Sequence, residues 1–321
     1  MEPISKTYFP KKKLSKIKFC FITHLHEDHC DINTIKYLNK NTKFYLPNLS
    51  FNKVIENILN KNNFKNIVYI DYGKFYEISN KYSIAVVPPL NRFGHQTKDI
   101  RKNKNANDGI AIDTGLIVKT KNDNLSHLFL SDNTPWDFDE FKKYFINIKI
   151  SALFFPFNAH ADDYPISFDN FSLVQKKQIS LKRNLVKEKN TINFIKKVKP
   201  KILIPYSSDF ILNGKRRNEF LKVHSNIFRN KFKYAIRIEK KTNLPAFALY
   251  SKDCLIFENK KFKVNIKSNG DERKNITTNK DLIIPDININ KDIYEMIKIS
   301  LKRYLDRITK YDFSKSEIKK Y

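Results

Sequence analysis

The chain has 321 residues, 61 of them Lys or Arg and 33 Asp or Glu, a net charge of +28. At 41% hydrophobic and 13% aromatic it carries the material for a packed core, which excludes a disordered chain. No apolar run reaches the roughly 18 to 20 residues of a membrane span. The opening MEPISKTYFPKKKLSK lacks the apolar centre of a signal peptide. Cys20, Cys30 and Cys254 form no CxxC pair, which suits a reducing, cytoplasmic setting. The positive charge is mostly lysine spread along the whole chain, so it reads as a solvated basic surface rather than a nucleic-acid footprint.

Hydrophobic periodicity gives short strands alternating with helices. Residues 17–23 (IKFCFIT) read as a buried strand, followed by a helix over 31–38 with Asp31 as its cap. A strand over 43–46 leads to a helix capped by Ser50 and running to about residue 61, with Val54, Ile55 and Ile58 on one face. Strands follow at 66–70, 75–78 and 83–87, then a polar loop over 91–107. Residues 109–113 and 116–119 read as a hairpin around Thr114-Gly115, and 128–130 as another strand. A helix over 138–146 precedes a strand over 152–155. A second helix over 185–198 stops at Pro200, and KILIP over 201–205 is a strand. Beyond it the pattern gives a helix over 218–228, strands near 234–238, 246–250 and 254–257, a polar linker and a final amphipathic helix over 293–308. Two regions result: a domain over 1–260, and a polar linker with a C-terminal amphipathic helix over 261–321.

The segment Thr23-His24-Leu25-His26-Glu27-Asp28-His29 carries the chemistry. Imidazoles and carboxylates suit zinc and neighbouring divalent ions. Four such groups in six residues converge on a small volume in a loop at a strand end, whereas a helix would scatter them. With only 7 His in the chain, this clustering is not a chance polar loop. Elsewhere the plainer readings stand. His127 reads as a strand-end residue, His224 as structural or exposed, Cys30 as a small buried residue, and Lys215-Arg216-Arg217 as a solvated helix start. Trp136, the single Trp, reads equally as a pocket wall and as packing, and Asp162 and Asp163 as loop charges.

The HxHxDHxD segment from His24 to Asp31 resembles the first metal motif of the metallo-β-lactamase fold superfamily. The resemblance covers roughly residues 15 to 260 and implies an α+β fold, a four-layer αββα sandwich. With only the residues before His24 available, it implies a first sheet short of some N-terminal strands or a chain that is one part of a split protein. It implies that His24, His26 and His95 hold one metal, that Asp28, His29 and a final His hold a second, and that Asp132, in HLFLSDNTPW, bridges them. The final His is missing: its strand, Ile202-Leu203-Ile204-Pro205, continues Tyr206-Ser207-Ser208-Asp209. His160 or Asp209 would stand in, or a single metal would bind firmly. Phe154-Phe155-Pro156-Phe157 and Ile204-Pro205-Tyr206 further resemble the branch of ascorbate lactonases, N-acyl-phosphatidylethanolamine phospholipase D and the corresponding part of CMP-N-acetylneuraminate hydroxylase. Three scattered Cys provide no Rieske cluster of the kind that hydroxylase also needs.

The implied activity is that of a metallo-hydrolase with one or two Zn2+, Mn2+ or Fe2+ being alternatives. Metal-activated hydroxide would attack a phosphodiester, lactone or amide bond of a small anionic substrate, sugar- or nucleotide-linked among the options. Asp28 would hold the hydroxide, His160 or Tyr206 would protonate the leaving group, and Thr23 and Ser131 would fix the histidine tautomers. Two alternatives remain at this point: a nuclease of the same fold, and a non-catalytic metal-binding module acting with a partner chain or as an oligomer. A nuclease would show steep salt dependence.

Overall fold

The computed structural model describes residues 2–3, 11–26, 29–49, 52–90, 113–135, 137–157, 165–166, 168–206, 210–211, 217–224, 228, 230–249, 253–258 and 261–265. They belong to the larger of the chain's two compact units, Met1–Leu212 with Arg216–Asn279. The fold is mixed α+β with several sheets. In order, the first part runs β1 (Glu2–Pro3), α1 (Lys11–Leu14), β2 (Phe19–Phe21), α2 (Ile32–Ile35), β3 (Lys43–Pro47), α3 (Lys53–Lys61) and β4 (Ile67–Ile70). Then come β5 (Tyr76–Glu77), β6 (Tyr82–Val87), β7 (Gly115–Thr120), β8 (Ser126–Phe129), α4 (Phe138–Phe145), β9 (Ala152–Pro156), α5 (Leu173–Val198) and β10 (Ile202–Tyr206). The last described elements are β11 (Phe210–Ile211), α6 (Arg217–Val223), α7 (Lys231–Thr242), β12 (Cys254–Glu258) and β13 (Lys261–Asn265).

Strands β2, β3 and β4 form a parallel three-stranded sheet, with α2 and α3 as the crossovers that parallel pairing demands. The larger sheet has the order β10-β9-β8-β7-β6-β5. Its β5–β8 half is an antiparallel meander, and β8, β9 and β10 are parallel, joined through α4 and α5. Alternating side chains send each strand into two cores. Tyr45 and Ile70 from the small sheet pack with Ile84 and Val86 from the large one. The intervening Phe44 and Leu46 turn to Ile35, Ile55 and Leu59 of α2 and α3. Ala85, Val87, Ile117, Leu128 and Phe155 meet Phe141, Phe194, Tyr234 and Ile238 of α4, α5 and α7. The hairpin β12–β13 lays Leu255 and Phe262 against Ile202 and Ile204, and it runs past residue 260.

Several local expectations give way. Residues 234–238 are helical rather than a strand. The run YAIRI is apolar at four of its five positions, but the buried ones are Tyr234, Ala235 and Ile238, a helical spacing. Asn230 caps that helix by accepting from Lys233 N, and Asn243 ends it in the left-handed conformation at φ 57°. Residues 246–249 form no strand and make a single bridge, Leu203 to Ala246. Gly115 is a strand residue opposite Val87 rather than a turn. A Cβ there would stand 2.9 Å from the Phe129 carbonyl oxygen and 3.3 Å from Val87 Cβ, so only glycine lets β7 begin so close to β8. In α3 the buried pair is Ile55 and Leu59, while Val54 is exposed.

Helix α5 starts twelve residues earlier than its apolar pattern suggests. Ser172 and Gln175 form a complete capping box at its N-terminus. Its inner face then buries polar residues: Lys176, Ser180, Asn184, Glu188 and Thr191 lie inside, while Val174, Leu181 and Leu185 face out. Three of these, Lys176, Ser180 and Glu188, meet partners on other elements. Lys176 Nζ donates to Glu219 Oε1 at 2.6 Å and to the Ile166 carbonyl at 3.2 Å. Ser180 Oγ lies 2.8 Å from His224 Nδ1, which makes His224 a buried structural residue. Glu188 takes Arg237 Nη2 at 2.9 Å and Lys241 Nζ at 2.6 Å. No described helix, this long one included, is apolar enough to cross a membrane. The predicted loop over 91–107 and the final helix over 293–308 lie outside the described residues.

Candidate metal centre

The chain delivers the site residues to one edge. His24 follows the C-terminal end of β2, and Asp132 follows the end of β8. Because β7 is antiparallel to β8, its beginning lies at the same edge, and Asp113 stands just ahead of it. Because β10 is parallel to β8 through β9, Tyr206 ends at that edge too. Ligands in open α/β sheets gather at such strand ends.

The histidine loop is a tight turn in which the His26 carbonyl accepts from His29 N at 2.9 Å and Cys30 N at 2.8 Å. Asp31 then caps α2, accepting from Asn33 N, Thr34 N and, at 2.7 Å, Thr34 Oγ1. That last hydrogen bond, more than any other contact, holds its carboxyl below the usual range. The turn gathers three imidazoles: the His24 ring centre is 4.5 Å from that of His26, edge to face, and 4.2 Å from that of His29, tilted. On the facing loop Ser131 adopts a left-handed backbone, φ 53°, at a cost of about 1 kcal/mol. Its side chain repays this by spanning the two loops, with Oγ 3.2 Å from Thr23 Oγ1 and 3.2 Å from His29 Nδ1. Thr23 Oγ1 in turn lies 3.0 Å from His24 Nδ1. Both hydroxyls therefore hold the back nitrogen of a histidine, the orienting position expected of them from sequence.

The front nitrogens converge with carboxylates in two groups, His24–His29–Asp132 and His24–His26–Asp113, each with its ligand atoms within 4.8 Å of one another. Asp132 Oδ2 is 3.1 Å from His29 Nε2 and 3.8 Å from His24 Nε2. Asp113 Oδ1 is 3.7 Å from His24 Nε2. His24 Nε2 and His26 Nδ1 are 2.8 Å apart. Two ligands of one tetrahedral zinc, at roughly 2.1 Å each, stand about 3.4 Å apart. The carboxylate distances bracket that value, and the shorter histidine pair is a hydrogen bond that an ion would replace. The donor set therefore fits a divalent metal.

Burial pushes the Asp132 carboxyl up. The hydrogen bond from His29, with the charges of His29, His24 and His26, outweighs it and holds Asp132 below the usual carboxylate range. Tyr206 sits close enough for burial first and the Asp132 charge second to push its hydroxyl well up, against a hydrogen bond with the Ser131 backbone. It stays protonated at neutral pH. Cys30 belongs to neither group, and burial raises its thiol, which disfavours the thiolate that a metal needs.

Of the residues singled out by sequence, His24, His26, His29 and Asp132 come together and Tyr206 lies beside Asp132. Asp28, His95 and His160 lie outside the described residues, as do Trp136, Asp162, Asp163 and Asp209. Asp113 was not foreseen. Its only sequence signal is an acidic residue before a strand, IAIDTG, and such residues are common.

Asn133 clamps the site to the segment that leads into residues 91–112. It is fully buried, accepts from Leu90 N at 2.6 Å and donates to the Pro88 carbonyl at 2.8 Å. Asn133→Ala leaves both backbone groups without this partner and should cost about 3 kcal/mol. A urea unfolding midpoint equal to wild type would show the clamp to be dispensable.

No family model matches the chain, and no curated protein does. Among solved structures it is similar to CmlA, a diiron beta-hydroxylase from Streptomyces venezuelae, at 14% identity over 77% of this chain and 46% of that one, TM-score 0.48. This chain thus spans less than half the length of CmlA. It is also similar to a possible metal-dependent hydrolase from Veillonella parvula DSM 2008, at 14% identity over 75% of this chain and 76% of that one, TM-score 0.41. A third is isothiocyanate hydrolase from Delia radicum gut bacteria, at 15% identity over 75% and 77%, TM-score 0.47.

Proposed function

We propose that this chain is a metal-dependent hydrolase of the metallo-β-lactamase fold, acting on a small anionic substrate. The observation that carries the reading is the pair of His/Asp groups sharing His24 at the strand-end edge. The succession of cores supports it. Helices α2 and α3, the small sheet, the large sheet, and helices α4, α5 and α7 follow one another as in a four-layer αββα sandwich.

A bound divalent ion, zinc by its donor set, would supply a water acidified to a pKa of about 7 and a Lewis acid for the scissile group. His24, His26 and His29 would hold it, with Asp132 between the groups and Asp28 and His95 added from the same motif set. Thr23 and Ser131 fix the histidine tautomers from behind. Tyr206, protonated and next to Asp132, would donate a hydrogen bond to the leaving group. The net charge of +28 would draw an anion inward.

The test is metal content of the purified protein by elemental mass analysis. It is paired with turnover of an aryl phosphodiester, an aryl lactone and a labelled oligonucleotide before and after chelation. One or two ions per chain, with turnover lost on chelation and restored by metal, is expected. Absence of tightly bound metal together with chelator-insensitive turnover would falsify the reading. Cleavage confined to the oligonucleotide would make the enzyme a nuclease.

A further inference from the structure

We propose that Asp113 is an inner metal ligand, the carboxylate of a group completed by His24 and His26. The inference rests on the metal-hydrolase reading and extends it to a residue outside the motif.

Which side of the histidine a carboxylate faces separates a ligand from an orienting partner. An orienting carboxylate hydrogen-bonds the nitrogen turned away from the metal. In His24 that nitrogen, Nδ1, is held by Thr23 Oγ1 at 3.0 Å. Asp113 Oδ1 instead lies 3.7 Å from Nε2, the nitrogen that also faces His26 Nδ1 at 2.8 Å and Asp132 Oδ2 at 3.8 Å. Asp113 is thus on the ligating side, at a spacing that two ligands of one ion can take up.

Its backbone is held there from both sides. Thr114, fully buried, donates from Oγ1 to the Thr23 carbonyl at 2.8 Å, which ties the start of β7 to the residue before His24. Gly115 then passes so close to β8 that a Cβ would stand 2.9 Å from the Phe129 carbonyl oxygen. The Asp113 side chain, 28% exposed, can meet an ion without unpacking the core.

The test uses the full chain stripped of metal by a chelator and titrated with Co2+. Visible absorption and elemental analysis follow the wild type, Asp113→Asn and Asp113→His. Loss of an inner ligand should weaken Co2+ binding in Asp113→Asn by more than about 100-fold, beyond the 10–100-fold of an orienting partner, with an altered visible spectrum. Asp113→His, which keeps a ligand, should recover most of the affinity with a spectrum of its own, and it carries the test if the Asn variant fails to fold. A loss below that limit with the wild-type spectrum overturns the proposal and leaves the metal hydrolase standing. A wild type that takes up no Co2+ overturns both.

Discussion

Asp132→Ala is expected to leave the chain folded and to weaken metal binding by more than about 100-fold, with hydrolytic turnover falling at least as far. Asp132 is the carboxylate that reaches both histidines, 3.1 Å from His29 Nε2 and 3.8 Å from His24 Nε2. It is held ionised despite burial, because the hydrogen bond from His29 and the surrounding imidazole charges outweigh the desolvation. A ligand must be deprotonated to bind, and this one is already so at neutral pH. Elemental analysis of the variant beside wild type gives the answer, with circular dichroism confirming the fold. Metal content equal to wild type would remove Asp132 from the site.

A large effect on stability is also expected at Glu188. Its carboxylate is buried, and it accepts from Arg237 Nε and Nη2 and from Lys241 Nζ, joining α5 to α7. Removing one member of a buried ion pair leaves its partner uncompensated, and Glu188→Ala should cost about 3 kcal/mol. Arg237 and Lys241 stay partly exposed, which keeps the cost at the lower end. The pH dependence has a definite sign. Burial raises the Glu188 carboxyl, but the Arg237 and Lys241 hydrogen bonds outweigh it, so its folded value lies below its ordinary 4.5. Its contribution is therefore fully present above about 4.5 and is lost as pH falls through the lower folded value. Urea midpoints of wild type and Glu188→Gln should differ at pH 7 and converge in acid. A constant difference across that range would mean that charge has no part in it.

What was legible in the sequence follows from how each element earns its stability. Strands β3, β6, β9 and β10 are buried on both faces over most of their length, so they appear as mostly apolar runs such as ALFFP and ILIPY. The histidine turn was legible because its ligands come from neighbouring positions and need no long-range contact to be seen. Asp113 was hidden because it meets His24 only across the fold, where Thr114 Oγ1 reaches the Thr23 carbonyl, between positions far apart in the chain. Residues 234–238 read as a strand because YAIRI is a short, mostly apolar run, which suits a strand as well as a helical turn, while the caps of α7, Asn230 and Asn243, lie outside that window. The first half of α5 was hidden for the opposite reason: hydrophobic periodicity finds buried faces only when they are apolar. The Ser172-Gln175 capping box was the one local signal of where that helix starts.

The polar inner stripe of α5 also bears on fidelity of assembly. Greasy surfaces tolerate sliding, since one aliphatic contact replaces another at little cost. Here a slide of one turn would part Lys176 from Glu219, Ser180 from His224 and Glu188 from Arg237 together, leaving several dehydrated groups stranded. Wrong alignments are thus heavily penalised, and only one is rewarded. The same logic makes the helix a late arrival: until α6 and α7 present Glu219, His224 and Arg237, its inner face gains nothing by leaving water. Val174, Leu181 and Leu185 would meanwhile favour docking with the opposite side inward.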